Sequence, residues 1–301
     1  MSASVLSRYL DPEVLQRLAG AGVSPRRLVL GNLAGAHASP LHGFAVEFAG
    51  HREYVWGDDP KHIDWRVYFT REKYSIKQYE METNFTCNLA LDISKSMRYG
   101  DGGEQKLLWG SRLAAALSWA VVRQSDRVAL ATFDDRVRAF VPPGSSLAQV
   151  HRIVAALDGV DSRERTSLAD CLTEIAGRIG RRELVFVISD FLDDVDPLEA
   201  ALQRLRYQHH EVVLFHVLHH DEIEFRFADM IRFVGLEVDD EALLAPEDMR
   251  AAYLAALARH VARLDEICQR NRVERVPIDT SQSIGPVLAD YLTQRARLLR
   301  R

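Results

Sequence analysis

Three separate segments of the sequence carry oxygen-bearing side chains at positions from which they could bind one metal ion. Asp92, Ser94 and Ser96 alternate with other residues, so their side chains can face one pocket where the chain leaves a strand. Thr166 precedes a helical pattern, and Asp190 follows an apolar run. Carboxylates and hydroxyls are hard oxygen ligands, which Mg²⁺ binds in near-octahedral geometry while keeping some of its water. The candidate metal ligands are therefore Asp92, Ser94, Ser96, Thr166 and Asp190.

The charge of this candidate site indicates what else it would bind. Asp92 and Asp190 are its only charged members, because Ser94, Ser96 and Thr166 contribute neutral hydroxyls. Two carboxylates balance the charge of a divalent ion without exceeding it, so the ion would stay electrophilic and accept a carboxylate from outside the chain. We expect Mg²⁺, with Mn²⁺ and Ca²⁺ as alternatives.

Apolar runs predict the elements that position these residues. Four short runs rich in Val, Leu, Ile and Phe are typical of strands buried on both faces. They cover residues 87–91, 128–133, 184–188 and 212–218. Helical patterns lie between the runs, and this alternation predicts an α/β fold with a doubly wound, mostly parallel sheet. Asp92 and Asp190 follow the first and third runs, and sites in such sheets form at the carboxyl ends of strands.

The rest of this pattern predicts one antiparallel edge and a C-terminal helix–strand–helix. Asp134-Asp135 separates the second run from a run of alternating apolar residues, which indicates a hairpin to an antiparallel edge strand. A long helix is expected over residues 246–270, a last strand over 273–278 and a last helix over 284–297.

The predicted elements divide the chain into two parts. Residues 86–301 carry the alternating strands and helices and are expected to form the α/β core domain. Residues 1–85 are interpreted as an N-terminal accessory segment that packs on or beside the core, with a small β-rich unit as the alternative. The sequence contains no internal repeat and no low-complexity linker.

Composition argues against several classes of protein. The 301 residues include 38 basic and 43 acidic side chains, a net charge of -5, so a nucleic-acid partner is not expected. Cys87, Cys171 and Cys268 form no CxxC pair and are expected to be buried thiols. The sequence lacks a signal-peptide pattern and any run of about 18 apolar residues, so we expect a cytoplasmic protein without a membrane span.

The three polar segments resemble the metal-ion-dependent adhesion site (MIDAS) of von Willebrand factor A domains. The resemblance rests on Asp92-Ile93-Ser94-Lys95-Ser96-Met97, on Thr166 before a helix and on Ile188-Ser189-Asp190. It implies a von Willebrand factor A-like, Rossmann-type fold in which the two Ser and the Thr bind the metal directly. The two Asp would act mainly through water, and a partner protein would supply an acidic ligand. Ser167 departs from the pattern, since A domains often have Asp there, and it could be a helix cap or a competing ligand.

Upstream motifs resemble a bacterial family of uncharacterised function whose members carry a divergent A-like domain. These members are commonly encoded beside MoxR-type AAA+ ATPases. The matching segments are Arg52-Glu53-Tyr54, Gly57-Asp58-Asp59-Pro60, Ile63-Asp64-Trp65-Arg66 and residues 71–82. The resemblance implies a MoxR-type ATPase or its client as the partner, and a chaperone-like role in assembly or maturation. It implies no known reaction, so we interpret the chain as a protein-interaction module rather than an enzyme.

Two other functions stay open. Asp residues at strand ends also serve Mg²⁺-dependent phosphoester hydrolases. Against that alternative, Ser94 occupies the second acidic position of an Asp-x-Asp pair, no motif places a histidine or lysine near the site, and the sequence has no P-loop. The other alternative is a scaffold subunit with a vestigial metal site.

A histidine cluster gives a weaker hypothesis of a zinc site. Histidine is a common zinc ligand, and five histidines lie close together in the sequence. They are His209, His210, His216, His219 and His220. Because side chains alternate between the faces of a strand, those in or beside the fourth apolar run should diverge. We therefore favour separate structural roles.

Overall fold

Two compact units make up the chain, one formed by residues 1–26 and 86–301 and the other by residues 27–85. The predicted boundary after residue 85 coincides with this division, but residues 1–26 belong to the larger unit. The computed structural model describes residues 3–20, 22–25, 34–39, 47–56, 58, 60–83, 85–160, 166–225, 231–234, 241–244 and 246–299. Gly57 and Asp59 of the upstream motif lie outside the described residues.

The described parts of both units contain helices and strands, numbered here in chain order. The helices are α1 (Ala3–Tyr9), α2 (Pro12–Leu18), α3 (Trp65–Arg71), α4 (Lys106–Arg123), α5 (Leu147–Asp158), α6 (Leu168–Arg178), α7 (Asp196–Tyr207), α8 (His220–Glu224), α9 (Pro246–Asn271) and α10 (Ile284–Leu299). The strands are β1 (Ala34–Ser39), β2 (Glu47–Glu53), β3 (Ser75–Thr83), β4 (Thr86–Asp92), β5 (Arg127–Phe133), β6 (Val137–Gly144), β7 (Leu184–Ser189), β8 (Glu211–Leu218), β9 (Ile231–Val234), β10 (Glu241–Leu244) and β11 (Glu274–Asp279).

A six-stranded sheet in the order β11-β8-β7-β4-β5-β6 forms the centre of the larger unit. β11, β8, β7, β4 and β5 run parallel, whereas β6 pairs antiparallel with β5 at one edge. Every residue of β4 and β7 is buried, because these central strands are covered on both faces. The predicted α/β class with a doubly wound, mostly parallel sheet is confirmed, as is the hairpin at Asp134-Asp135.

Amphipathic helices cover both faces of the sheet. α6, α7 and α9 pack on one face, in a cluster that includes Leu172, Leu202 and Leu264. α4 contacts β4, β5, β7 and β8 and contributes no residue to that cluster, so it covers the other face. Gly110 allows α4 to approach closely, since a Cβ there would lie 3.1 Å from both Leu91 Cδ1 and Ile188 Cγ2.

The N-terminal helices belong to the larger unit because they pack on its helices. α1 contacts α4 and α5, and α2 contacts α4 and α10. Tyr9 and Leu18 are buried in these contacts. Gln124 at the end of α4 also accepts a 2.8 Å hydrogen bond from the Val23 amide. These two helices therefore pack on helices of the larger unit, and the smaller unit covers residues 27–85.

The smaller unit contains a three-stranded antiparallel sheet in the order β1-β3-β2. Asp64 caps α3 by accepting a 3.0 Å hydrogen bond from the Arg66 amide, and its other oxygen lies 2.8 Å from His51 Nε2. Arg52 donates two hydrogen bonds to the Asp58 carboxylate, at 2.6 and 2.7 Å. Asp58 and Asp64 of the upstream motifs therefore bind partners within this unit.

The three cysteines, Cys87, Cys171 and Cys268, are free thiols and are buried. Among the described residues, no helix combines the length and the apolar character needed to cross a membrane.

A buried arginine ties together the amino ends of two neighbouring strands. Arg295 of α10 is 1% exposed. Its Nη2 donates to Glu211 Oε1 at 2.6 Å, and its Nη1 lies 3.5 Å from Glu274 Oε2. Its Nε donates to the Ser24 carbonyl at 2.7 Å. Because Glu211 begins β8 and Glu274 begins β11, one guanidinium links α10, the sheet and the N-terminal segment.

Replacing Arg295 with Met should destabilise the protein by about 3 kcal/mol, because the change removes a buried guanidinium from the partly buried carboxylates of Glu211 and Glu274. Arg297→Met is the matched control, since Arg297 lies on the same helix and is exposed. We expect the control to change the free energy of unfolding by less than about 0.5 kcal/mol. Urea denaturation measures both values, and equal effects would contradict this account of α10.

Candidate metal centre

All five predicted ligands lie at or beside the carboxyl ends of neighbouring strands. Asp92 ends β4, and Asp190 follows the last residue of β7. β4 and β7 pair in parallel, with Leu91 opposite Ile188, so the two Asp leave the sheet side by side. Ser94 and Ser96 follow Asp92 in the turn, and Thr166 lies two residues before α6.

Asp92 lies at the centre of a hydrogen-bonded cluster. The residue is 0% exposed. Its Oδ1 accepts from the Ser94 amide at 2.9 Å and from Thr166 Oγ1 at 3.0 Å. Its Oδ2 accepts from Ser189 Oγ at 2.6 Å. Burial and the nearby Asp190 charge together raise the pKa of Asp92 to about 7, because both disfavour the ionised carboxylate.

Ser189 is a member of the cluster to which the sequence pattern assigned no role. Besides donating to Asp92, its Oγ accepts a 3.0 Å hydrogen bond from the Phe191 amide. The Ser189 hydroxyl therefore holds the Asp92 carboxylate of β4 against the end of β7, the neighbouring strand in the sheet. Its position in the Ile188-Ser189-Asp190 motif was the only sequence signal for it.

Ser94 and Ser96 point toward each other. Their Oγ atoms are 3.1 Å apart, with Ser94 buried and Ser96 half-buried. Neighbouring ligands of octahedral Mg²⁺, each at its usual bond length, lie about 2.9 Å apart. The separation of the two hydroxyls is therefore close to that of two adjacent ligands of one small cation.

The hydroxyls of Thr166 and Ser167 have different hydrogen-bond partners. Thr166 Oγ1 donates to both oxygens of Asp92, at 3.0 and 3.1 Å. Ser167 Oγ instead donates to Asp170 Oδ2 at 3.0 Å and makes no capping hydrogen bond to the helix backbone. Thr166 belongs to the cluster, whereas Ser167 bonds outside it.

Asp190 is bound by a lysine that sequence reasoning missed. Lys106, the first residue of α4, is 0% exposed, and its Nζ donates to Asp190 Oδ2 at 2.8 Å and to Glu222 Oε1 at 2.7 Å. Burial acts to lower the pKa of Lys106, but the charges of Asp190 and Glu222 outweigh it and raise that pKa. No motif of the sequence places a lysine near the site, yet the structure brings Lys106 into contact with Asp190. Lys106 follows no motif, and only its place at the head of an apolar helix distinguished it.

The donor set suits a hard divalent cation. It combines the Asp92 and Asp190 carboxylates with the hydroxyls of Ser94, Ser96 and Thr166. Thr166 donates its proton to Asp92, which leaves lone pairs of its oxygen for a cation. Within the described part of the chain, no three His, Cys, Asp or Glu side chains are grouped to hold a metal. Metal binding at this edge of the sheet would therefore depend on the hydroxyls.

Four of the five histidines of the zinc hypothesis have separate protein partners. His210 Nδ1 accepts from the Glu183 amide at 3.2 Å, and His216 Nδ1 lies 3.2 Å from Arg275 Nη1. The remaining two contacts involve the ends of other elements. His219 Nδ1 accepts from the Asp221 amide at 3.2 Å, and His220 Nδ1 lies 2.9 Å from Asp279 Oδ2. These contacts favour structural roles for the four side chains.

Comparisons with known proteins identify relatives of uncharacterised function. A family model described as "Protein of unknown function DUF58" matches residues 50–263. The uncharacterized protein Rv1480 of Mycobacterium tuberculosis is 24% identical over 220 residues, covering 71% of this chain and 68% of that protein. The uncharacterized protein Mb1516 of Mycobacterium bovis matches with the same identity and the same coverage.

Solved structures with a similar chain path have low sequence identity. The conserved hypothetical protein BatB from Bacteroides thetaiotaomicron is 17% identical with a TM-score of 0.46, covering 71% of this chain and 100% of that chain. The SpRpn10 VWA domain is 12% identical with a TM-score of 0.37, covering 68% of this chain and 94% of that domain. These identities are too low to carry a function from either protein to this one.

Acid should destabilise this protein in part through His210. Burial lowers the pKa of His210 to about 4, from 6.5 when exposed. Below pH 6.5 the unfolded chain binds the proton more readily, so stability falls as the pH drops from 6.5 toward 4. The contribution of this histidine is on the order of 3 kcal/mol.

His210→Asn keeps an acceptor for the Glu183 amide and should flatten the dependence of melting temperature on pH between 6.5 and 4. The control is His209→Asn, because His209 is exposed and has a positive φ that Asn tolerates. A slope unchanged in His210→Asn would show that this imidazole does not control the acid response.

Proposed function

We propose that this chain, which belongs to the DUF58 family of proteins of unknown function, is a metal-dependent protein-interaction module. A Mg²⁺ ion at Asp92, Ser94, Ser96, Thr166 and Asp190 would bind an acidic side chain of a partner protein. The observation that carries the proposal is the convergence of the Thr166 hydroxyl on buried Asp92, beside the paired hydroxyls of Ser94 and Ser96.

The hydrogen bonds support a division of labour among the five residues. Asp92 and Asp190 already accept protein donors on both of their oxygens, which suits carboxylates that act through water. Ser94, Ser96 and Thr166 have neutral oxygens with lone pairs available to a cation. In this proposal, the hydrogen bonds of the chain hold the five side chains in position before the ion binds.

Charge supports an acidic ligand on the partner. When bound, the ion supplies two positive charges, which attract a carboxylate and pull its lone pairs into a coordination bond. Asp92 and Asp190 balance that charge but do not exceed it. An approaching carboxylate therefore meets a centre that carries no surplus of negative charge from the ligands themselves.

The partner that we propose is a MoxR-type AAA+ ATPase or a client of that ATPase, in a chaperone-like step of assembly or maturation. Support for this partner comes from the upstream motifs and their resemblance to proteins encoded beside such ATPases. The absence of a P-loop in the sequence fits a chain that works with an ATPase rather than as one.

A hydrolytic role has less support. Lys106 is a cation in contact with Asp190, but it is fully buried and both its described hydrogen bonds go to carboxylates. A lysine held in this way cannot reach a substrate phosphate. We therefore propose that the site binds and does not catalyse.

Replacing Thr166 with Ala should weaken Mg²⁺ and Mn²⁺ binding by at least about tenfold, a loss of about 1.4 kcal/mol. Ser167→Ala is the matched control, since the adjacent hydroxyl bonds to Asp170 and should leave affinity unchanged. Calorimetric titration of chelator-treated protein measures both. No saturable binding in the wild type, with no shift in melting temperature, would instead favour a vestigial site.

Binding of a purified MoxR-type ATPase should require both the metal and the site. We expect binding to the wild type in Mg²⁺, and its loss in EDTA and in the Asp92→Ala variant, measured by biolayer interferometry. Circular dichroism shows whether the variant is folded. Equal binding in Mg²⁺ and EDTA would favour the scaffold alternative, whereas phosphate release from a generic phosphoester that Asp92→Ala abolishes would favour the hydrolase.

A further inference from the structure

Lys106 is a buried cation in direct contact with one carboxylate of the candidate metal centre. Its side chain has 0% exposure, and its ammonium bridges Asp190 at 2.8 Å and Glu222 at 2.7 Å. The Lys106 amide also donates to the Tyr99 carbonyl at 3.1 Å, which fixes the start of α4 to the loop after Ser96. This arrangement places a positive charge where a metal ion would also seek Asp190.

We propose that Lys106 is an internal counter-cation that lowers the affinity of the site for divalent metal through Asp190, and that Glu222 of α8 limits this effect by sharing the ammonium. The inference rests on the proposed metal-binding function and names its regulation. It assigns Lys106 and Glu222 a role in tuning the site, without direct contact with the partner.

Competition for one carboxylate is the physical basis of the inference. A unit charge at hydrogen-bonding distance from Asp190 already stabilises that anion, so less of its attraction is left for a second cation. The ammonium also repels an arriving divalent ion, and burial leaves little water to screen this repulsion. Glu222 acts in the opposite direction, because its negative charge offsets that of Lys106.

Glu222 makes the charge around Lys106 depend on the position of α8. Its Oε1 accepts from Lys106, while its Oε2 accepts from the His219 amide at 2.8 Å and so caps the helix. The His219 ring packs edge-on against Tyr99, with centroids 5.1 Å apart. Gly100, with φ of 93°, leaves room for that imidazole, since a Cβ there would lie 2.6 Å from His219 Cδ2.

The outer side of α8 is accessible. The Asp221 side chain is 46% exposed and Ile223 is 36% exposed. A partner that displaced α8 would separate Glu222 from Lys106. The Lys106 ammonium would then interact with Asp190 alone. Metal affinity would then fall, so α8 provides a means by which binding at the surface changes the strength of the metal centre.

The experiment compares Lys106→Met and Glu222→Gln by calorimetric titration of the full chain with Mn²⁺. We expect Lys106→Met to bind at least about tenfold more tightly than the wild type, and Glu222→Gln to bind about threefold or more weakly. Arg297→Met removes one positive charge from an exposed position of α10 and should leave the dissociation constant unchanged. Melting temperatures in EDTA and in Mn²⁺ are recorded for each variant.

The outcomes separate this inference from the proposed function. If the wild type binds Mn²⁺ and the dissociation constants of the two variants are unchanged or change in the same direction, the role of Lys106 is overturned. The proposed metal site would still stand. A shift in Arg297→Met as large as that in Lys106→Met would also overturn it, since net charge would then explain both.

Metal binding by Lys106→Met but not by the wild type would support the inference while overturning metal-dependent function in the natural chain. No binding by any variant would overturn both. If Lys106→Met folds only with Mn²⁺ present, the metal has replaced the missing ammonium, which supports the inference. If Lys106→Met does not fold, the Mn²⁺ affinity of Glu222→Gln tests the inference by itself: weaker binding supports it, and unchanged or tighter binding overturns it.

Discussion

The burial of two carboxylates side by side is the constraint on which the rest of this structure depends. Parallel pairing of β4 with β7 brings Asp92 and Asp190 together at one edge of the sheet, where both are almost inaccessible to water. Like charges in such a place are costly unless donors and cations surround them. Ser189 and Thr166 supply donors to the first carboxylate, and Lys106 supplies a cation to the second.

Two buried cations lie at opposite ends of the strands of the same sheet. At the amino ends, Arg295 contacts the glutamates that begin β8 and β11 and so links these strands to α10 and the N-terminal segment. At the carboxyl ends, where the candidate metal centre lies, Lys106 joins Asp190 to Glu222. The printed contacts of Arg295 join elements of the fold, whereas Lys106 contacts Asp190, one of the proposed metal ligands.

The fold followed from local patterns because each pattern is set by neighbouring residues. Continuous apolar runs predicted the buried strands, and the rule that sites form at the carboxyl ends of strands placed Asp92 and Asp190 together. The hairpin at Asp134-Asp135 was equally local. The packing of α1 and α2 on α4, α5 and α10 was not local, because it joins residues far apart in the chain.

By itself, the sequence determined the sheet, the edge that bears the candidate site and the five residues proposed to form it. The tertiary structure alone decided that Thr166 rather than Ser167 bonds to Asp92, and that Ser189 joins them. It alone revealed Lys106, which lies 84 positions from Asp190 and 116 from Glu222 in the chain. Contacts over such separations leave no periodic signal in a sequence, because they are produced by the packing of helices on the sheet rather than by neighbouring residues.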